Sequence, residues 1–362
     1  MSPTEAPNAA GSRPAPESNP GAAGPHPVTL TTSDGGLLTF DCAPGLSVLE
    51  AAAEAGAALP ASCRQGTCGS CHASVTGGAY ELGPHSEQAL PARDRERDGV
   101  LLCRTFPRGP LTAALPYERS RILYGGVPVR EATVTAVEPL APETVRLELR
   151  LDDPDCQFDP GQFMELRLPG SEVKRAYSPA NTGNWEGRLE FYVRLREGGH
   201  FSSYLAHRAR PGDRLTVHGP QGAFGLHETG LRPRWFVAGG TGLAPLLAMV
   251  RRMAEWQEPQ PARLFLGVNE SQDVFGLDEL AAVAAELPGF RYEVRVWRPG
   301  PGWSGPTGTP AEPLAAALPE LAGTAPDLYV CGPPPMVDAV LRAATTAGVP
   351  PEQIHRERFL AT

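Results

Sequence analysis

Four of the seven cysteines have the spacing of metal ligands. They are Cys63, Cys68, Cys71 and, 32 residues later, Cys103. The pattern C-x4-C-x2-C with a distant fourth cysteine is that of a [2Fe–2S] centre, which needs four thiolates. Gly66 and Gly69 lack a Cβ and so allow a loop tight enough for backbone N–H groups to point at sulfur. Structural zinc or free thiols are the alternatives, although zinc usually takes two C-x2–4-C pairs and this chain has one.

Two further segments carry residues suited to nucleotide chemistry. In the sequence R-A-Y-S, Arg175 can neutralise a pyrophosphate, Tyr177 can stack on an isoalloxazine ring, and Ser178 can hydrogen-bond that ring near N5. Taken alone, this short motif fits an edge strand with a surface arginine equally well. Residues 239–245 read G-G-T-G-L-A-P, a glycine-rich strand-to-helix turn that lets a pyrophosphate approach a helix N-terminus. Its candidate ligands are Gly240, Thr241, Gly242 and Pro245.

Apolar patterning predicts three kinds of domain around these segments. An Asp-Gly-Gly turn at 34–36 is expected to join two strands, and Ser47 with Glu50 forms a capping box ahead of a helix. Period-two alternation from residue 131 to 217, interrupted by Pro and Gly turns, predicts an antiparallel barrel. After Gly230, continuous apolar runs alternate with helical stretches, which predicts a parallel sheet covered by helices. The runs are 235–238, 264–268, 292–297 and 328–331.

Composition excludes several classes of protein. A chain of 362 residues with a net charge of −9 and no basic stripe argues against a nucleic-acid or anionic-membrane partner. Lys174 is the single lysine and follows no glycine-rich loop, so a Walker-type phosphate site is excluded. The longest apolar stretch, 235–250, is too short to span a bilayer. The first 27 residues are rich in Pro and Ala without a hydrophobic signal segment, and they predict a disordered leader.

The cysteine pattern and the two nucleotide segments together resemble a known family. The N-terminal part of the chain resembles a plant-type ferredoxin domain, and the remainder resembles the flavin and nicotinamide domains of the ferredoxin–NADP⁺ reductase superfamily. The three-part order is similar to that of the reductase components of bacterial multicomponent oxygenases acting on benzoate, phenol, alkenes or methane. The resemblance implies a β-grasp ferredoxin domain, an antiparallel Greek-key flavin barrel and an α/β nicotinamide domain with a parallel sheet. We expect a leader over 1–27 and domains over 28–116, 125–228 and 232–362.

The resemblance extends to the flavin site. R-A-Y-S matches the R-x-Y-S signature of the family, and residues 198–205 resemble its second flavin segment, in which glycines and serines open a helix that faces the cofactor phosphates. Residues 219–224 resemble the turn that closes the barrel. The implied ligands in the second segment are Gly199, Ser202 and Ser203. FAD is expected in preference to FMN because the ferredoxin domain comes first.

The nicotinamide site is expected where two loops and the C-terminus meet. Pro245 replaces the third glycine of the dinucleotide fingerprint, as it does in this superfamily. The sequence C-G-P-P-P-M at 331–336 resembles the family loop beside the nicotinamide and contributes Cys331, Gly332 and Pro333; a proline-rich turn with a buried thiol is the alternative. The resemblance also gives Phe359 the role of shielding the flavin, although packing under the last strand fits equally, and gives Glu357 a place by the hydride path. The implied catalytic residues are Ser178, Cys331 and Glu357.

Two acidic residues predict the nucleotide specificity. Glu270 and Asp273 follow the run 264–268, and no Lys or Arg occurs from 264 to 290. An acidic side chain can accept a hydrogen bond from a ribose 2′-hydroxyl but repels a 2′-phosphate. We therefore expect NADH in preference to NADPH. Simple solvation of either carboxylate is the alternative.

The predicted function is electron transfer. An NADH-dependent reductase would pass electrons from NADH through FAD to the [2Fe–2S] cluster and then singly to an oxygenase, hydroxylase or ferredoxin. The exposed end of the cluster loop, near Arg64 and Gln65, is the expected docking patch for that acceptor. The alternatives are a reductase for an iron–sulfur dehydrase in deoxysugar synthesis and a redox sensor or electron-carrier module without turnover. We expect a cytoplasmic monomer with no nucleic-acid or membrane partner.

Overall fold

The computed structural model describes residues 24–227, 230–321 and 324–359. Most of the predicted leader, residues 1–23, lies outside the described residues. Within the described ranges, no helix is long and apolar enough to cross a membrane.

The N-terminal domain is a five-stranded mixed sheet with a helix packed against it. Its elements are β1 (His26–Thr31), β2 (Leu37–Cys42), α1 (Val48–Glu54), β3 (Ala57–Ala58), β4 (His72–Leu82), α2 (Ala92–Arg95), β5 (Gly99–Leu101), β6 (Thr105–Ala114) and β7 (Leu123–Tyr124). In the order β2-β1-β6-β4-β5, β1 and β6 are parallel and the other pairs are antiparallel, which gives the β-grasp arrangement. The predicted capping box starts α1: the Ser47 hydroxyl accepts from the Glu50 N–H at 3.3 Å, and the Glu50 carboxylate accepts from the Ser47 N–H at 2.9 Å.

The second domain is a six-stranded antiparallel barrel. Its elements are β8 (Val129–Ala141), β9 (Thr144–Leu151), β10 (Phe163–Arg167), β11 (Lys174–Tyr177), β12 (Arg188–Arg194), α3 (His200–His207) and β13 (Arg214–Gln221). The strand order is β11-β10-β13-β8-β9-β12, and an isolated bridge between Pro179 and Phe191 joins the two edges. Alternate Leu, Val and Phe side chains fill the interior, as the period-two pattern predicts.

The third domain is a parallel sheet between two layers of helices. Its elements are β14 (Arg234–Gly239), α4 (Leu243–Glu255), β15 (Ala262–Glu270), α5 (Leu277–Glu286), β16 (Phe290–Arg298), α6 (Ala311–Ala317), β17 (Asp327–Gly332), α7 (Pro334–Thr346) and β18 (Ile354–Arg358). The five strands are parallel and lie in the order β16-β15-β14-β17-β18. Successive strands are added on one side of β14 up to β16 and then on its other side from β17, so the topological switch point lies between β14 and β17. Ligands of such sheets bind at the carboxyl ends of the strands beside this switch point.

The three domains pack against each other through specific contacts. Tyr192 of β12 meets Phe275 edge-on, with 5.5 Å between ring centroids, inside a core that the barrel and the parallel sheet share. The barrel contacts the N-terminal domain through an ion pair between Arg121 and Asp159 at 2.7 Å. Arg356 of β18 forms another ion pair with the N-terminal domain, described below. The predicted multidomain fold of β-grasp, antiparallel barrel and α/β domain is confirmed.

Candidate functional site

The loop that carries the first three cysteines wraps around sulfur. The N–H groups of Gln65 and Thr67 point at the Cys63 sulfur at 3.4 and 3.3 Å, and the Cys63 N–H points at the Cys68 sulfur at 3.4 Å. Gly66 and Gly69 have left-handed φ values of +77° and +84°. Such donors stabilise thiolate, the form of cysteine that binds metal. The local geometry is therefore the one that the glycine spacing predicts.

The four thiols are arranged as two pairs. Cys63 is hydrogen-bonded to Cys68, and Cys71 is hydrogen-bonded to Cys103. The hydrogen bond within each pair is the largest cause of the pKa shifts of its two thiols. It lowers the pKa of Cys63 and of Cys103, and it raises the pKa of their partners Cys68 and Cys71. Among the residues that the structure describes, no three Cys, His, Asp or Glu side chains converge on one point as a mononuclear metal requires. The two thiol pairs offer two ligands to each of the two irons of a [2Fe–2S] cluster.

One side of the cysteine loop is buried and the other faces solvent. Cys71 and Cys103 are 2% and 4% exposed, whereas Arg64 and Gln65 at the tip are exposed. The buried side is held by residues 84–90: the Ser86 N–H donates to the Gly66 carbonyl at 2.9 Å, and a Cβ at Gly69 would lie 3.1 Å from the Ala89 carbonyl oxygen. The predicted docking residues thus lie at the open edge.

The R-A-Y-S residues lie at the end of β11. The Tyr177 ring packs 5.4 Å from Phe201 and 6.5 Å from Phe191, and burial raises its pKa, so its hydroxyl stays neutral. Arg175 is partly exposed on the same strand, and its guanidinium donates to the Lys174 carbonyl at 2.9 Å. A partly buried aromatic ring beside a reachable cation suits a flavin nucleotide.

The predicted phosphate segment begins α3. Gly199 is the N-cap residue and Ser203 is exposed one turn later, so backbone N–H groups at this helix end can receive an anion. Ser202 instead turns inward, and its hydroxyl accepts from the Arg196 N–H at 3.0 Å. The structure thus places Gly199 and Ser203 at the open end of the helix and engages Ser202 in the preceding turn.

Glycines at the ends of β14 and β17 allow the backbones of the two following loops to approach each other closely, because no side chain lies between them. A Cβ at Gly242 would overlap the Cys331 carbonyl, and one at Gly332 would lie 3.0 Å from the Gly239 nitrogen. Gly240 has a left-handed φ of +53° and open space around its Cβ position. A dinucleotide pyrophosphate needs such a backbone-lined notch at the switch point. Thr241 lies within this turn, Pro245 is the third residue of α4, and Pro333 is the N-cap residue of α7.

The three residues predicted to be catalytic converge from distant parts of the chain. The Cys331 thiol faces the Glu357 carboxylate at 4.0 Å, and the Ser178 hydroxyl donates a hydrogen bond to the same carboxylate. Burial raises the pKa of Glu357 to about 7, against the smaller opposing effect of Ser178. The Phe359 N–H donates to the Gly332 carbonyl at 2.9 Å and so fixes that residue beside the loop. This group can hold a proton near neutral pH at the junction of the second and third domains.

The structure adds a cation to the predicted specificity residues. Glu270 ends β15 and Asp273 lies in the next turn, where its carboxylate accepts from the Glu270 N–H at 3.0 Å. Arg298 ends the neighbouring strand in register with Glu270, and its guanidinium lies 4.0 Å from the Glu270 carboxylate. Sequence reasoning missed Arg298 because it lies beyond the 264–290 window; the matching ends of two parallel strands are the signal that could have located it.

Sequence reasoning also missed Arg356 and Arg358. They flank Glu357 on β18, which was not predicted as a strand, and their side chains reach the N-terminal domain. The alternation of Arg, Glu and Arg before the aromatic Phe359 is the signal that could have located them.

Comparison with known families assigns a cofactor to each domain. Family models match a 2Fe-2S iron-sulfur cluster binding domain at residues 31–108, an oxidoreductase FAD-binding domain at 131–225 and an oxidoreductase NAD-binding domain at 236–342. The cysteine pairs, the Tyr177 pocket and the glycine notch lie in the corresponding domains and suit these three cofactors.

Individual relatives cover between about three quarters and more than nine tenths of the chain. Methane monooxygenase component C of Methylosinus trichosporium is 39% identical over 272 residues, which cover 74% of this chain and 79% of that protein. The toluate 1,2-dioxygenase electron transfer component of Pseudomonas putida is 34% identical over 341 residues, 93% of this chain and 99% of that one. A crystal structure of an Amycolatopsis cytochrome P450 reductase has 32% sequence identity and a TM-score of 0.69, with 92% of this chain and 98% of that chain covered.

Proposed function

The chain belongs to the family of reductases that join a [2Fe–2S] ferredoxin domain to FAD- and NAD-binding domains, and from this premise we propose that it is the reductase component of a multicomponent oxygenase. It is an NADH-dependent oxidoreductase that transfers electrons to a protein acceptor. The observation that carries the proposal is the meeting of Ser178, Glu357 and Cys331, which come from two domains and face each other at the switch point.

The bound cofactors supply the electron chemistry, namely hydride transfer between nicotinamide and flavin and one-electron transfer at the cluster. The protein supplies binding and orientation. We propose that Cys63, Cys68, Cys71 and Cys103 hold the cluster; that Arg175, Tyr177, Ser178, Gly199 and Ser203 hold FAD; and that Gly240, Thr241, Gly242, Pro245, Gly332, Pro333, Glu270 and Asp273 hold NADH. Ser202, predicted as a further FAD ligand, instead fixes the turn before α3 through the hydrogen bond from the Arg196 N–H. Phe359 would cover the flavin site from the C-terminal end.

The catalytic group acts by controlling a proton. With a pKa of about 7, Glu357 holds a proton in a large fraction of molecules at neutral pH and can exchange it. The Ser178 hydroxyl donates to this carboxylate and is thereby oriented. Cys331 is fully buried, and burial raises its pKa, so it presents a neutral thiol to the site.

We propose that the acceptor docks at the exposed tip of the cysteine loop. The names of the relatives given above, a methane monooxygenase component and a toluate dioxygenase component, support an oxygenase as that acceptor. Arg64 supplies a positive charge at the tip, which suits an acidic patch on the acceptor. None of the seven cysteines forms a disulfide, which agrees with the reducing cytoplasm that we propose as the location. We further propose a monomer, which the elution volume in size-exclusion chromatography tests.

A visible spectrum of the purified protein, with iron, sulfide and flavin analysis, tests the proposal. Anaerobic addition of NADH should bleach the flavin and then reduce the cluster. The Cys103→Ser variant should lose cluster reduction and keep NADH–ferricyanide activity, and Cys42→Ser, which removes a buried thiol elsewhere in the same domain, is the matched control. Preparations that stay colourless after reconstitution with iron, sulfide and FAD would overturn the proposal. Coloured protein without NADH turnover would support the alternative of a sensor or carrier module.

A further inference from the structure

The last described strand has two faces with different partners. Successive side chains of β18 point to opposite sides of the sheet, as in any strand. Glu357 points toward Ser178 and Cys331, whereas Arg356 and Arg358 point toward the N-terminal ferredoxin domain. One five-residue strand therefore contacts both the flavin–nicotinamide junction and the domain that carries the cysteine cluster.

The arginine face forms a network of charged contacts between domains. The Arg356 guanidinium lies 2.8 Å from the Asp94 carboxylate, and Arg358 donates to the Gln88 carbonyl. Arg358 also pairs with Asp338 of α7 at 2.7 Å, and Arg93 approaches the same carboxylate at 3.7 Å. The Arg356 and Asp94 side chains are 32% and 15% exposed, and those of Arg358 and Asp338 are 6% and 38% exposed. Each ion pair therefore joins one largely buried side chain to one that is partly exposed to solvent.

The partners of these arginines lie on the segment that holds the cysteine loop. Gln88 and Asp94 belong to residues 84–98, and this segment grips the loop through the Ser86 N–H, which donates to the Gly66 carbonyl at 2.9 Å. The Arg104 side chain, one residue after the fourth cysteine, donates to the Pro84 carbonyl at 2.9 Å. A continuous set of hydrogen bonds thus runs from β18 through residues 84–98 to the cysteine loop.

We propose that Arg356 and Arg358 are positioning residues for electron transfer from the flavin site to the cluster. By fixing residues 84–98 to the strand that carries Glu357, they set the distance between the two redox sites. Oxidation of one NADH to NAD⁺ would give the flavin a hydride, that is, two electrons and a proton; the electrons would leave one at a time through the cluster to the acceptor protein, and the proton would be released to solvent. This inference rests on the proposed function, and it adds a role for an interdomain contact made by residues that are not among those proposed to hold a cofactor.

Rapid mixing of anaerobic holoprotein with NADH tests the inference. Flavin bleaching and cluster reduction are followed separately, by absorbance and by freeze-quench EPR. In Asp94→Asn and Arg356→Gln, cluster reduction should slow about fivefold, the upper range for a partly exposed ion pair, while flavin bleaching keeps its rate. Raising the salt concentration should slow cluster reduction in the wild type in the same way and have little effect on either variant. Arg342→Gln, which changes an exposed arginine on α7, is the matched control.

A charge exchange separates positioning from a general loss of structure. The double variant Asp94→Arg with Arg356→Asp should recover cluster reduction to within about twofold of the wild type, because the ion pair is restored in reverse. Unchanged cluster reduction in both single variants, or a double variant no faster than either, would overturn the inference. A wild-type protein whose cluster is not reduced by NADH at all would overturn the proposed function as well, so the two failures are distinguishable.

Discussion

Replacement of Glu357 by glutamine should remove a pH dependence of stability near neutrality. Burial raises the pKa of this carboxyl from 4.5 to about 7. Between these two pH values the folded chain keeps a proton that the unfolded chain has released. The free energy of unfolding of the wild type therefore falls as the pH rises through this range and levels off above it. Glutamine has nearly the same shape and does not titrate, so the variant lacks this slope.

The expected size follows from the two pKa values. Each pH unit over which the folded state holds one extra proton changes the free energy of unfolding by about 1.4 kcal/mol. From pH 5.5 to 8.5 only the interval below about 7 contributes, which gives a loss of about 2 kcal/mol in the wild type. The neighbouring guanidinium groups do not offset this loss, because Arg356 and Arg358 are paired with Asp94 and Asp338 on the opposite face of the strand.

Denaturant unfolding of the holoprotein at several pH values and constant ionic strength measures the effect. Because the protein has three domains, the transition of the nicotinamide domain is followed by the fluorescence of its tryptophans, among them the buried Trp235. Glu352→Gln, which changes an exposed glutamate in the same domain, is the control and should keep the wild-type slope. Curves for Glu357→Gln and the wild type that stay parallel from pH 5.5 to 8.5 would refute the reasoning.

Three further predictions concern the other sites. Gly242→Ala drives a Cβ into the carbonyl of the neighbouring loop and should abolish flavin bleaching by NADH while cluster and FAD content stay normal; Gly300→Ala, with space around its Cβ, should behave as wild type in the same assay. Glu270→Gln frees Arg298 for a 2′-phosphate and should lower the ratio of kcat/KM for NADH over NADPH by at least about tenfold, and an unchanged ratio would contradict the assignment. Arg64→Glu should lower the turnover rate with the acceptor protein and the salt dependence of that rate, and it should leave the NADH–ferricyanide activity unchanged. An equal loss of acceptor turnover and of ferricyanide activity would count against the docking patch.

The parts of the fold that were predictable are those set by local chemistry. The capping box at Ser47 and the turn that joins β1 and β2 need only neighbouring residues, and the structure has both. The central parallel strands β14, β15 and β17 could be predicted because burial on both faces leaves continuous apolar runs. The cysteine spacing likewise contained enough information to predict the tight loop around sulfur, because its glycines are adjacent in sequence to the thiols.

Strand β6 could not be predicted, because its prolines argue against a strand. Pro107 and Pro110 lie within β6, which occupies the centre of the first sheet. Proline lacks the N–H that a central strand needs. The partner strand accommodates it: the register shifts between Gly78 and Tyr80, and a Cβ at Gly78 would overlap the Pro110 carbonyl. The glycine that makes room lies 32 residues away in sequence, so no local pattern could reveal the pairing.

The same reason explains why the meeting of the three residues proposed to be catalytic could not be predicted from the sequence. The family resemblance was enough to name Ser178, Cys331 and Glu357. These residues come from three segments, however, and they meet only if β18 pairs with β17. The sequence of β18, I-H-R-E-R, has no apolar alternation that would predict a strand. Its charges are accommodated because each face meets a polar partner, Ser178 on one side and Asp94 on the other. Those partners precede β18 by more than 170 residues, so only tertiary packing brings them together.

The register of β18 therefore constrains two sites at once. Cys331 pairs with Glu357 across the strands, and the Phe359 N–H bonds the Gly332 carbonyl at 2.9 Å, which fixes that register at the strand end. Because side chains alternate, a slip of one residue would turn the glutamate toward the ferredoxin domain and an arginine into the flavin–nicotinamide junction. A cation there would lack the hydrogen bond that Ser178 donates to the carboxylate. The pairing that places the proton-holding carboxyl is thus also the pairing that docks the cluster domain.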